Sequence, residues 1–159
     1  MPHIDVLITI HNRQSDEEGQ THTVKVTTEG KLYRRPEENV LIYRETESSG
    51  LDNTTTKVTI PQDGSEVVIT RIGDHEMKMH FQKGNHYQTR LATPFGYVDM
   101  GFFTQNLDVK IGDKQGEIRI DYSLDFNHQR PISNRINIKF HTMGEEALPD
   151  TASAAEETI

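Results

Sequence analysis

The chain has no cysteine and no tryptophan among its 159 residues. Without cysteine there is no disulfide, no thiolate nucleophile and no cysteine-ligated zinc. It also lacks any run of about eighteen apolar residues, which excludes a transmembrane helix. Its first residues, Met1-Pro2-His3-Ile4-Asp5, show no basic segment leading into an apolar stretch. No secretory signal is expected from them, and the expected location is cytoplasmic. Positive charge is in short supply, with 17 basic residues against 25 acidic ones and a net charge of -8. That balance argues against nucleic acid and membrane surfaces as partners, since both require a positive field. Familiar catalytic patterns are missing too: there is no Gly-x-Ser-x-Gly elbow, no phosphate-cradling glycine loop, no His-Glu-x-x-His and no EF-hand loop. No catalytic residue, metal or cofactor is assigned.

What the chain does have is alternation. From Ile4 to Asn12, Val6, Ile8 and Ile10 alternate with Asp5, Thr9 and His11, and a polar turn follows at Arg13–Gly19. His22 to Arg34 places Val24, Val26, Gly30 and Leu32 on one parity, and the glycine predicts a bend or bulge. Further strands are expected at Val40–Glu47, Thr54–Ile60, Glu66–Ile72, Glu76–Gln82, His86–Thr93, Tyr97–Thr104 and Asn106–Ile111. Turn residues separate them, among them Ser48–Asn53, Pro61-Gln62-Asp63-Gly64 and a hairpin loop at Lys83-Gly84-Asn85. The clearest strands come last. Ile118, Ile120, Tyr122, Leu124 and Phe126 form one face, and Ile132, Ile136, Ile138 and Phe140 another.

Roughly ten strands with no helix between them give an all-β domain. Short links favour an up-and-down meander, and closure removes the exposed edges that an open meander would leave. The expected fold is a single closed antiparallel β-barrel of about 8–10 strands. Residues 1–142 form this barrel, and 143–159, rich in Glu, Ala, Ser and Thr, are expected to be a disordered acidic tail.

Several stretches carry a resemblance: Thr28-Glu29-Gly30-Lys31-Leu32-Tyr33, Tyr43-Arg44-Glu45-Thr46, Arg71-Ile72-Gly73, Thr93-Pro94-Phe95-Gly96 and Gly116–Tyr122. Together they resemble the YwiB-like bacterial proteins of unknown function. The resemblance spans about residues 4–142 and implies a calycin-type, lipocalin-like barrel. It implies no activity, and the lipocalin Gly-x-Trp signature is absent.

The candidate site is the barrel interior. Met77, Met79, Phe81 and Tyr122 would form an adaptable apolar lining for a small hydrophobic molecule, or simply fill the barrel as core. Charged groups inside strand segments are a second set. Arg44 shares parity with Val40 and Ile42, Glu45 with Leu41 and Tyr43, Arg71 with Val67 and Ile69, and Arg90 with Ala92. An inward arginine needs a carboxylate partner, either Glu45 or a ligand. The resemblance to fatty-acid carriers makes Arg44, Arg71 and Arg90, with Tyr43 or Tyr97, a set suited to an anionic ligand. The alternative is that these arginines face solvent or form structural ion pairs. The histidines, including His75, His80 and His86, are expected to be exposed rather than metal-bound. The function expected is therefore binding of a small hydrophobic or anionic molecule in the interior. The alternative is a filled barrel that acts as a structural or protein-interaction module, with a homo-oligomer possible.

Overall fold

Alternating side chains on an extended backbone give each strand a dry face and a wet one, and one sheet carries the whole pattern. The computed structural model describes residues 2–46, 51, 53–74 and 76–143. Its strands are β1 (Ile4–Ser15), β2 (Thr21–Arg34), β3 (Glu38–Arg44), β4 (Thr54–Pro61) and β5 (Val67–Gly73). They continue as β6 (Met77–Phe81), β7 (His86–Thr93), β8 (Gly96–Ile111), β9 (Gln115–Phe126) and β10 (Ile132–Thr142). All of the expected tail but Met143, whose amide donates to Asp5 O at 2.8 Å, lies outside the described residues, as do His75 and most of the turn at 48–53.

All pairings are antiparallel, in the order β6-β5-β4-β3-β2-β1-β10-β9-β8-β7. This is an up-and-down meander in which the first strand also pairs with the last, from Val6↔Thr142 to Ser15↔Ser133. The barrel is therefore nearly closed. Its break falls mid-chain, between β6 and β7, the two strands at the ends of the sheet order. The Lys83-Gly84-Asn85 link is thus not a hairpin between paired strands, as its sequence suggested. Instead it joins the β8 side: the Gly84 amide donates to Thr104 O at 2.8 Å, and the Thr104 amide donates to Asn85 O at 3.2 Å. Side chains bridge the break, with the Phe81 and Phe102 rings 6.0 Å apart and the His80 and Tyr87 rings 5.8 Å apart.

Two local readings are corrected. Tyr97–Thr104 and Asn106–Ile111 are one strand, β8, with its register shift between Thr104 and Asn106. The extra residue, Gln105, reverses parity, so Met100, Phe102 and Thr104 before it and Leu107, Val109 and Ile111 after it all face the core. Gly30 is in regular register, opposite Val6 on one side and Tyr43 on the other. Its missing side chain makes room: a Cβ there would stand 2.5 Å from Ile8 Cδ1 and 2.7 Å from the Ile42 carbonyl oxygen.

The core runs across the barrel in rows. Leu32, Leu41, Val58, Ile69 and Met79 are successive partners, all buried, and the Ile118↔Ile138 and Ile120↔Ile136 pairs belong to the same core. Each fully buried aliphatic or aromatic side chain of this kind contributes about 1.5–3 kcal/mol of transfer free energy. Phe81, Phe102 and Tyr122 are mutually in contact, with the Phe81 and Tyr122 rings 4.9 Å apart.

Candidate functional site

One row of inward positions is polar. Gly30, Tyr43, Thr56, Arg71 and Met77 stand directly opposite one another across β2 to β6, one step beyond the apolar Leu32–Met79 row. Parity places them there. Arg71 follows Val67 and Ile69 at two-residue steps, and Tyr43 follows Leu41. Glu45 continues the β3 parity just past its end. Its backbone amide donates to Thr54 O at 2.8 Å, which brings its side chain over the row.

The Glu45 carboxylate is nearly fully buried, and the Thr56 hydroxyl donates to its Oε2. Arg71 Nε stands 4.0 Å from that same oxygen, an ion pair at the limit of contact, and the Arg71 side chain is 23% exposed. Arg71 Nε is buried and has no hydrogen-bond partner among the described residues. The guanidinium is therefore paired in charge but incompletely satisfied in hydrogen bonding. Burial, reinforced by the Glu45 charge, pushes the Tyr43 phenol well above its ordinary range, while the Arg71 charge opposes the shift. Burial pushes Tyr122 up to about 12, again against Arg71. The Arg71 charge thus acts on phenols of both β3 and β9.

Seven of the ten sequence candidates face this interior, in two different roles. Tyr43, Glu45, Arg71 and half-buried Met77 form the polar row with Tyr122 beside it, whereas Met79 and Phe81 are core. The other three do not line the interior. Arg44 lies between two inward residues and is exposed. Arg90 Nε donates to Asp99 Oδ1 at 3.1 Å, and its guanidinium lies 5.5 Å from the centre of the exposed Tyr97 ring. That is an outer-face stack, produced by a register in which the neighbouring residue, Leu91, turns toward the core. Thr56 was not singled out from the sequence. Threonine suits either face of a strand, so the Thr54–Thr55–Thr56 run carries no signal of which hydroxyl is buried.

At the opposite end of the barrel, Arg34 Nη2 donates to Gly112 O and Asp113 O, each at 2.7 Å. These bonds tie β2 to the β8–β9 turn beside a recess of about 410 Å³ that also includes Asn39 and Gly64. His80 contacts the Glu66 carboxylate on the outer parity. Among the described residues no group of three or more His, Asp or Glu side chains is placed to hold a metal, and no helix is long and apolar enough to cross a membrane.

A family model described as Domain of unknown function (DUF1934) matches residues 8–138. The chain belongs to the DUF1934 family. The matched span includes β2 to β9 in full, most of β1 and β10, and every residue of the polar row. No curated protein matches the chain in sequence. Among solved structures, the crystal structure of the ywiB protein from Bacillus subtilis is similar, with a TM-score of 0.75 over 89% of this chain and 94% of that one. Sequence identity is 18%, so the likeness is one of fold. The expected YwiB-like all-β barrel of unknown function is thus the fold that this DUF1934 chain has.

Proposed function

We propose that this protein is a non-enzymatic barrel that binds a small anionic molecule, in part apolar, at the polar end of its interior. The observation that carries this reading is Arg71, inward-facing and partly exposed, with an Nε donor that finds no acceptor among the described residues. An unmade hydrogen bond from a partly buried cation is costly, and a ligand carboxylate or phosphate oxygen would remove that cost. Half-buried Met77 stands opposite Arg71 and offers an adaptable apolar contact beside the charge. Deeper in, Met79, Phe81, Phe102 and Tyr122 pack as core, which favours a ligand seated at the end rather than threaded through the barrel.

Native mass spectrometry of protein purified gently from its own host tests the proposal. The expected result is an adduct on the wild-type chain that is absent from Arg71→Gln and retained by the outer-face variant Arg90→Gln. A bare-chain mass for the wild type would remove it.

A second reading, a filled interaction module, is favoured by a different observation. Phe95, at the β7–β8 turn, is 98% exposed, and nearby Tyr97 is 71% exposed. Such rings suit contact with another protein surface.

A further inference from the structure

A second recess lies on the outside of the barrel and is independent of Arg71. It has a volume of about 890 Å³ and is lined mostly by outward residues of β2, β1, β10, β9 and β8, together with the inward-parity Ile111, Gly116 and Phe140 near the β8–β9 turn. Register explains its composition. Thr9, Lys139, Glu117 and Lys110 are successive partners across four strands, and Lys25, His11 and Asn137 form the next outward row.

The charge there runs against the net charge of the molecule. Three lysines and two histidines line the recess, and among the described lining residues Glu117 is the one carboxylate. Glu117 is already engaged, accepting from Asn137 Nδ2 at 3.0 Å. Lys110 has Asp108 at 3.8 Å, but Lys25 and Lys139 have no carboxylate within 4 Å among the described residues. Lack of a carboxylate within 4 Å is shared by Lys57, Lys78 and Lys83 among the described residues, so what sets Lys25, Lys110 and Lys139 apart is that they line one recess.

From this we infer that the recess is a binding site for a small molecule carrying two or more phosphate groups, held by Lys25, Lys139 and Lys110 from three strands. Lysine ammonium groups act as mobile point charges, a form of recognition that suits phosphate and imposes no planar geometry. Lysines on separate strands are matched better by several separated negative charges than by one. The volume suits a small molecule, since ligand sites typically span roughly 300–1,000 Å³. The net charge of -8 sets an upper limit on the ligand's length, because a long polyanion would meet repulsion everywhere beyond the recess. His11 and His141 complete the walls as ring hydrogen-bonding groups.

Calorimetric titration of the full chain with inorganic tripolyphosphate, and separately with a nucleoside triphosphate, tests the inference at low and at physiological salt. One-site binding of at least one of the two is expected, weakening as salt rises. A Lys25→Gln/Lys139→Gln double variant should lose at least about 10-fold in affinity. Arg130→Gln, which removes a paired cation outside the recess, should leave it unchanged. Lys25, Lys139 and Arg130 are exposed and Arg71 is partly exposed, and far-ultraviolet circular dichroism verifies that each variant is folded. No heat with either phosphate compound overturns the inference, as does an equal loss from Arg130→Gln. Tighter binding of a 20-nucleotide single strand than of tripolyphosphate would also overturn it, in favour of a nucleic-acid surface. Binding that only Arg71→Gln abolishes would assign the phosphate to the interior instead.

Discussion

Two tyrosines report on the interior directly. Tyr43 and Tyr122 are buried, and burial favours their neutral form, so both hold their protons to higher pH in the folded chain than in the unfolded one. The unfolded state then releases protons first as pH rises. Stability is accordingly full below about pH 10, the unfolded phenol value, and falls as pH climbs from there through about 12, the value for folded Tyr122. Denaturant titration across that range should show the decline, with a shallower slope for Tyr122→Phe, which removes one of the two linked groups. A decline of the same slope in Tyr122→Phe would mean that the phenol is not held neutral. That one arginine acts on both phenols is a tertiary matter. Alternation gave Arg71 the parity of Val67 and Ile69, but Arg90 has an equally strand-like setting and lies outside, stacked on Tyr97. Mixed faces leave parity undecided until neighbouring strands fix the register.

At the scale of the element, β8 is the informative case. Its two halves read as separate strands because their parities disagree, and Gln105 is the residue that reconciles them. Deleting Gln105 would rotate one half by a full side-chain step. Either Met100 and Phe102 or Leu107, Val109 and Ile111 would then turn from the core to water. Even partial exposure of such a set costs several kcal/mol, since each large side chain contributes about 1.5–3 kcal/mol when fully buried. Gln105→Ala, by contrast, keeps the residue count and should be near neutral. A melting-temperature comparison of the two variants separates the role of the bulge from that of the side chain. Equal melting temperatures would show that the register shift is not what positions the second half. The bulge leaves a trace in the sequence as a parity break, but a break in parity looks the same as a turn. Only the continuous pairing of β8 with β9 distinguishes them.

For the whole molecule, the position of the break matters most. β1 pairs on both sides along nearly its whole length, whereas β6 and β7 each have one paired neighbour. Amides on the unpaired edges depend on side-chain cover alone, from contacts such as Phe81 with Phe102 and His80 with Tyr87. Hydrogen exchange should therefore be fastest among the strands in β6 and β7 and slowest in β1, β10 and β9. Equal protection across all ten strands would show that the break is sealed by hydrogen bonds. Pairing the first strand with the last makes many contacts long-range, so folding in milliseconds to seconds is the expected regime.

By itself the sequence determined the class of fold, a strand count of roughly ten and the alternation of faces along each strand, and it offered interior candidates of which Arg44, Arg90 and Tyr97 lie outside. It could do so because a period of two is a local property, written into every neighbouring pair of residues. It could not determine where the barrel breaks. Short links such as Lys83-Gly84-Asn85 look like hairpins whether or not the strands on either side pair. Nor could it choose which arginine enters the interior, or foresee that lysines 25, 110 and 139 converge on one recess. Those outcomes depend on which strands become neighbours and in what register. Only the closing of β1 against β10 and the bend at Gln105 settle them.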